Sequence, residues 1–118
     1  MSALAPDPDR SPFGKWMVVA VDGETTGGGE RFNFSIEQPY GSAQFGCNKG
    51  SGRLRFERGW LVTGDWIITT AGCVPAERMR FERRGFEITS QPMAISARGG
   101  SGIRLRNRVG TIDLVRAR

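Results

Sequence analysis

From Lys15 to Val115 the chain is written in short runs of alternating apolar and polar residues, most of them closed by a glycine-bearing turn. A period of two sends successive side chains to opposite faces, the pattern of a strand with one buried side. Arg31-Phe32-Asn33-Phe34-Ser35-Ile36 sets Phe32, Phe34 and Ile36 on one face. Gly52 to Glu57 turns Leu54 and Phe56 inward and Arg53 and Arg55 to water. Ile103 to Val109 sets Ile103, Leu105 and Val109 against Arg104, Arg106 and Arg108. Lys15 to Val21, Ser42 to Phe45, Trp60 to Ile68 with a kink at Gly64-Asp65, Phe86 to Thr89, Met93 to Ala97 and Thr111 to Val115 complete the strands. The 17 glycines supply turns between them.

One segment, Cys73 to Arg84, has helical character, with Pro75 placed where a first helical residue needs no N–H and Gly85 as its end. A helix this short is held by packing rather than by propensity. The pattern predicts a mainly β fold with one short α-helix. It is a small antiparallel, barrel-like meander of about eight strands, closed or nearly closed because a meander this long must deal with its edges, and capped by the helix. Trp16, Trp60 and Trp66 are expected to anchor its core. The domain runs over 14–118. Residues 1–13, with Pro6, Pro8 and Pro12 and no periodicity, are expected to form a disordered tail.

Histidine is absent, which removes the Ser-His-Asp and Cys-His constellations and most zinc sites. Acidic residues are scattered rather than clustered, so neither catalysis nor a metal or other cofactor is expected. The net charge is +5, and the excess lies in the second half: residues 60–118 carry ten basic and five acidic groups, residues 1–59 seven of each. Fifteen of the 17 basic residues are arginine, whose planar fork suits phosphate and carboxylate. Arg53, Arg55, Arg104, Arg106 and Arg108 are therefore candidate anion-binding residues, set against the simpler reading of a solvated surface. A single-stranded nucleic-acid site is disfavoured, because the residues interleaved with these arginines are aliphatic and face the other way.

No apolar run is long enough to span a membrane. Met1 to Pro6 lacks the basic and apolar regions of a signal peptide, so a cytosolic start and a mature exported chain both remain open.

The only two cysteines lie in Phe45-Gly46-Cys47-Asn48-Lys49-Gly50-Ser51-Gly52 and in Thr69-Thr70-Ala71-Gly72-Cys73. Cys47 and Cys73 admit a disulfide, a reduced buried pair, or a redox couple, in that order of preference. Gly46 and Gly50 permit positive φ or close backbone approach. Asn48 suits hydrogen bonds to its own backbone in a turn, and Thr69 and Thr70 suit the same near the helix start, where Thr70 or Gly72 is a candidate cap.

These motifs resemble the META domain family, the group that includes the heat-inducible HslJ-like proteins. Gly14-Lys15-Trp16 is similar to the family's start. Gly46-Cys47-Asn48 followed by Gly50 and Gly52 resembles its GCN-x-x-x-G signature, and Thr69 to Cys73 its Thr-rich second motif. Gly110-Thr111-Ile112-Asp113-Leu114 is similar to its closing strand. The chain departs from the pattern at Ala71-Gly72, where a Met or Arg usually precedes the Cys. The resemblance implies a small β-barrel-like fold with a helix, in a periplasmic or outer-envelope protein associated with stress, with no common reaction. The expectation is a non-catalytic, monomeric module that binds a protein or small ligand. The alternative is a single-stranded nucleic-acid or polyanion binder through the Arg-rich second half.

Overall fold

The computed structural model describes residues 11–71 and 76–117. Its strands are β1 (Gly14–Val21), β2 (Glu24–Thr25), β3 (Phe32–Ile36), β4 (Tyr40–Phe45), β5 (Lys49–Glu57), β6 (Trp60–Ile68), β7 (Met93–Arg98), β8 (Gly102–Arg106) and β9 (Thr111–Arg116), with α1 (Ala76–Thr89) between β6 and β7. All neighbours are antiparallel. The order β1-β3-β4-β5-β6-β7-β8-β9 closes through a β1–β9 pairing, so eight strands form a barrel and the two-residue β2 only flanks β1. Closure pairs the edges that an open meander would leave exposed.

Inward positions of every barrel strand fill the lumen. Val18, Phe34, Ile36, Phe45, Leu54, Leu61, Met93, Leu105, Ile112 and Leu114 are all fully buried. Each contributes on the order of 1.5–3 kcal/mol by leaving water. The barrel is therefore a packed core, not a cup.

Helix α1 lies over the barrel end formed by the last residues of β4 and the first of β5 and β9. Phe81 meets the Phe32 ring edge-on at 5.7 Å, and Phe86 meets Phe45 at 5.1 Å. Ile88 is fully buried. Arg84 ties the helix down: its Nε donates to Asp22 Oδ2 (2.8 Å), one Nη to Val109 O (2.7 Å) and the other to Glu87 Oε1 (3.2 Å). The hydrogen bond to Asp22 is the main cause that raises the Arg84 pKa above its ordinary value.

The predicted strand at Phe86–Thr89 is helix, and Gly85 does not end α1 but lies within it. A Cβ on Gly85 would meet the Phe45 ring at 2.4 Å, so glycine lets the helix lie directly on that ring. The helix start, with Pro75 and the Gly72 cap candidate, falls outside the described residues; Thr70 is exposed.

The opposite end is closed by residues 11–13. Pro12 is buried, its carbonyl accepts the Trp16 indole N–H at 2.8 Å, and Arg116 donates to the carbonyls of Phe13 and Ser11. The expected tail therefore does not reach these three residues, because Trp16 and Arg116 each gain a backbone acceptor by holding them.

Two tryptophan expectations hold and one does not. Trp16 is buried and Trp66 packs against the core, but Trp60 is 45% exposed. The kink explains the difference. In the β5–β6 register Ser51 opposes Ile67 and Arg53 opposes Gly64, so Gly52 faces both Asp65 and Trp66. This is a β-bulge, with Asp65 at φ 54°. The extra residue flips the alternation, so Trp60 points out while Trp66 points in, 6.2 Å from Phe34.

Candidate functional site

Cys47 to Gly50 and Thr69 to Ala71 converge under α1, where they hold the fold together. Asn48 is buried immediately before β5. Its backbone N–H donates to Glu82 Oε1 (2.6 Å) and its Nδ2 to Glu82 Oε2 (3.0 Å). Asn48 Oδ1 accepts from the Ala71 N–H (2.6 Å) and the Thr69 hydroxyl (3.1 Å). Thr69 Oγ1 in turn accepts from the Lys49 N–H at 3.0 Å. The expectation that Asn48 bonds its own backbone is thus corrected: its side chain bridges three separate segments. Each partner answers a buried polar group that would otherwise cost about 1–3 kcal/mol.

The glycines of the same motif have distinct tasks. Gly46 stands at φ 105°, a conformation that L side chains rarely adopt. Gly50 is ordinary strand, and its lack of a Cβ admits Phe86, whose ring would lie 2.6 Å from that atom. Gly52 makes room for Trp66 in the bulge, where a Cβ would lie 2.6 Å from the ring. Cys47 is buried, and its Sγ lies 3.7 Å from the Ala71 carbonyl oxygen. Cys73 lies outside the described residues.

The five candidate arginines do not form one stripe. Arg104 donates from Nε to Asp113 Oδ1 (2.6 Å) and from Nη2 to Oδ2 (3.2 Å), while Arg98 lies 3.2 Å from the same carboxylate. The Asp113 side chain is only 3% exposed. Its hydrogen bond is the main cause that raises the Arg104 pKa, and Arg104 is committed to it. Arg53 is 3.7 Å from Asp65 and Arg55 is 3.5 Å from Glu57. β8 ends at Arg106, so Arg108 sits in the β8–β9 loop and not on a strand ladder. Asn107 ends the strand: its Oδ1 accepts the N–H groups of Val109 (2.8 Å) and Gly110 (3.1 Å).

The loop nevertheless brings Arg108 to a groove of about 790 Å³ on the outer wall, lined by Glu57, Arg58, Trp60, Val62, Pro92 and Arg108, among others. Trp60, Val62 and Pro92 supply the apolar surface. Arg58 and Gly59, at φ 54° and 87°, form the two-residue turn between β5 and β6. Positive φ at both positions is the hairpin geometry that matches strand twist. Arg106 stands beside the groove in the cross-strand row Trp60–Ala94–Arg106. Arg58, Arg106 and Arg108 have no ion-pair partner among the described residues. Sequence reasoning missed Arg58 and placed Trp60 in the core; the outward parity of Trp60 depends on the register, which no local signal reports.

The META domain matches residues 12–118. This chain belongs to the META domain family. Within this META domain the packed lumen and the motif network under α1 define the scaffold, and the groove is a feature of its outer wall. Two solved structures are similar in fold. One, determined by NMR, is 14% identical with a TM-score of 0.74, covering 94% of this chain and 95% of its own. The other, an NMR structure of a protein from Burkholderia xenovorans, is 17% identical with a TM-score of 0.68, covering 99% and 94%. At these identities the likeness carries the fold alone. No curated protein matches the META chain.

Proposed function

We propose that this META domain is a non-catalytic binding module of the cell envelope, associated with stress, whose working surface is the outer wall of its barrel. The observation that carries this reading is the filled lumen: a ligand has no interior to enter, and large apolar groups stand outside instead, with Trp60, Tyr40 (63% exposed) and Ile67 (77% exposed) on the surface. Family membership and the absence of histidine support the same reading.

The alternative, a polyanion or single-stranded nucleic-acid binder built on all five arginines, is weakened by the commitment of Arg104 to Asp113 and by the acidic neighbours of Arg53 and Arg55.

The test is site-specific photocrosslinking in the native host from Tyr40, Trp60 and Ile67, with cell fractionation alongside. Discrete adducts from wall positions, in an envelope fraction, are expected. A cytosolic protein with no wall adducts, or one isolated with a stoichiometric cofactor and measurable turnover, overturns the reading.

A further inference from the structure

We infer that the groove beside Trp60 is a docking site for an acidic segment of a partner protein, one that places an apolar side chain on Trp60 and Pro92 and carboxylates against Arg58 and Arg108. The inference rests on the binding-module reading above and names the partner's chemistry.

Charge is the first reason. Among the described residues the groove's one acid is Glu57, already 3.5 Å from Arg55, whereas Arg58 and Arg108 have no anionic partner there, and Arg106 adds a third such cation beside them. A guanidinium fork takes a carboxylate through two parallel hydrogen bonds. Tryptophan and arginine are also among the residue types that most often dominate protein–protein binding energy once a partner desolvates them at the centre of an interface.

Rigidity is the second. Asn107 Nδ2 donates to the carbonyls of Ile88 (2.8 Å) and Gln91 (3.3 Å), so one side chain fixes both the β8–β9 loop that carries Arg108 and the wall that carries Pro92. The tight β5–β6 turn fixes the backbone of Arg58. Walls already in place cost little ordering when a partner binds.

A protein segment fits better than nucleic acid. Single-stranded nucleic acid is held by successive aromatic platforms along a basic track. Here Trp60 is the one aromatic at the groove, and Tyr40 lies two strands away on β4.

The experiment is fluorescence anisotropy with the full chain and labelled probes of roughly eight residues, about 26 Å of extended peptide. One probe alternates glutamate with phenylalanine. Others replace glutamate by glutamine, phenylalanine by serine, or glutamate by lysine, and an oligothymidylate of matched charge completes the set. The glutamate–phenylalanine probe is expected to bind best, and more weakly as salt rises. Trp60→Ala and the double variant Arg58→Gln/Arg108→Gln should each weaken it at least about tenfold. Trp60→Phe, which keeps an aromatic floor, should retain most binding, and thermal melts establish that each variant is folded.

Tighter binding of the oligothymidylate with the same residue dependence replaces the protein partner by nucleic acid and overturns the inference. Equal binding of the lysine probe, or no binding by any peptide at low salt, also overturns it. Wall crosslinks from Tyr40 or Ile67 without any from Trp60 would sink the groove while leaving the binding module intact.

Discussion

Asn48 and Glu82, 34 residues apart, are joined by two hydrogen bonds that couple the residue just before β5 to the underside of α1. The carboxylate accepts one backbone and one side-chain donor from the same residue, and both groups are buried. Asn48→Ala and Glu82→Ala should each destabilise the fold by about 1–3 kcal/mol, because each leaves buried polar groups without partners. In a double-mutant cycle by denaturant unfolding the two should couple by more than about 0.5 kcal/mol. Additive losses would mean that the pair is not a unit.

Gly85→Ala pits helix propensity against packing. Alanine gains about 1 kcal/mol in a helix interior. The new methyl, however, meets the Phe45 ring at 2.4 Å, and Phe45 is itself fully buried between Phe34 and Phe86. Overpacking of this kind costs about 1–3 kcal/mol. Clash should win, giving a lower Tm, and Phe45→Leu should recover part of the loss in combination. A raised Tm for Gly85→Ala alone would refute the close approach.

We propose that Cys47 and Cys73 are bridged. The cysteines are 26 residues apart, and a crosslink over such a loop stabilises by roughly 3 kcal/mol in the chain-entropy account. Denatured, non-reduced protein should show no reactive thiol, and reduction should lower the denaturant midpoint. Two thiols titrating before reduction would dispose of the bridge.

Arg104 and Arg106 lie two residues apart on β8 and should behave oppositely. Arg104 neutralises the buried Asp113 carboxylate, so Arg104→Gln should lower the unfolding midpoint and leave binding of the acidic probe unchanged. Arg106 is exposed and unpaired among the described residues, so Arg106→Gln should leave stability within about 0.5 kcal/mol and weaken the probe. A reversed pattern would move the anion site to the β8–β9 face.

The strand pattern was largely legible because alternation is local: Phe32, Phe34 and Ile36, or Ile103 and Leu105, announce their buried face within a few residues. The helix was legible only in its first half. Phe86-Glu87-Ile88-Thr89 alternates like a strand, while the helical face Phe81, Gly85 and Ile88 is hidden because its middle member is a glycine. Gly85 reads as a stop signal until the Phe45 ring beneath it is known.

The motif residues stood out in the sequence, but their partners did not. Asn48 has the chemistry of a turn residue, and nothing in its neighbourhood names Glu82, Thr69 or Ala71 as its counterparts. The same holds for the groove, since Arg58, Trp60, Pro92 and Arg108 come from three separate stretches of chain.

By itself the sequence determined the fold class, the closed meander and the family, since these follow from periodicity, turn residues and spaced motifs within one linear string. Tertiary structure alone decided which arginines are neutralised, which tryptophan faces water, and what Asn48 holds. Those outcomes depend on register and on one bulge. A shift of a single residue in a strand exchanges its inner and outer faces, and strand pairing between distant segments is what selects among such shifts.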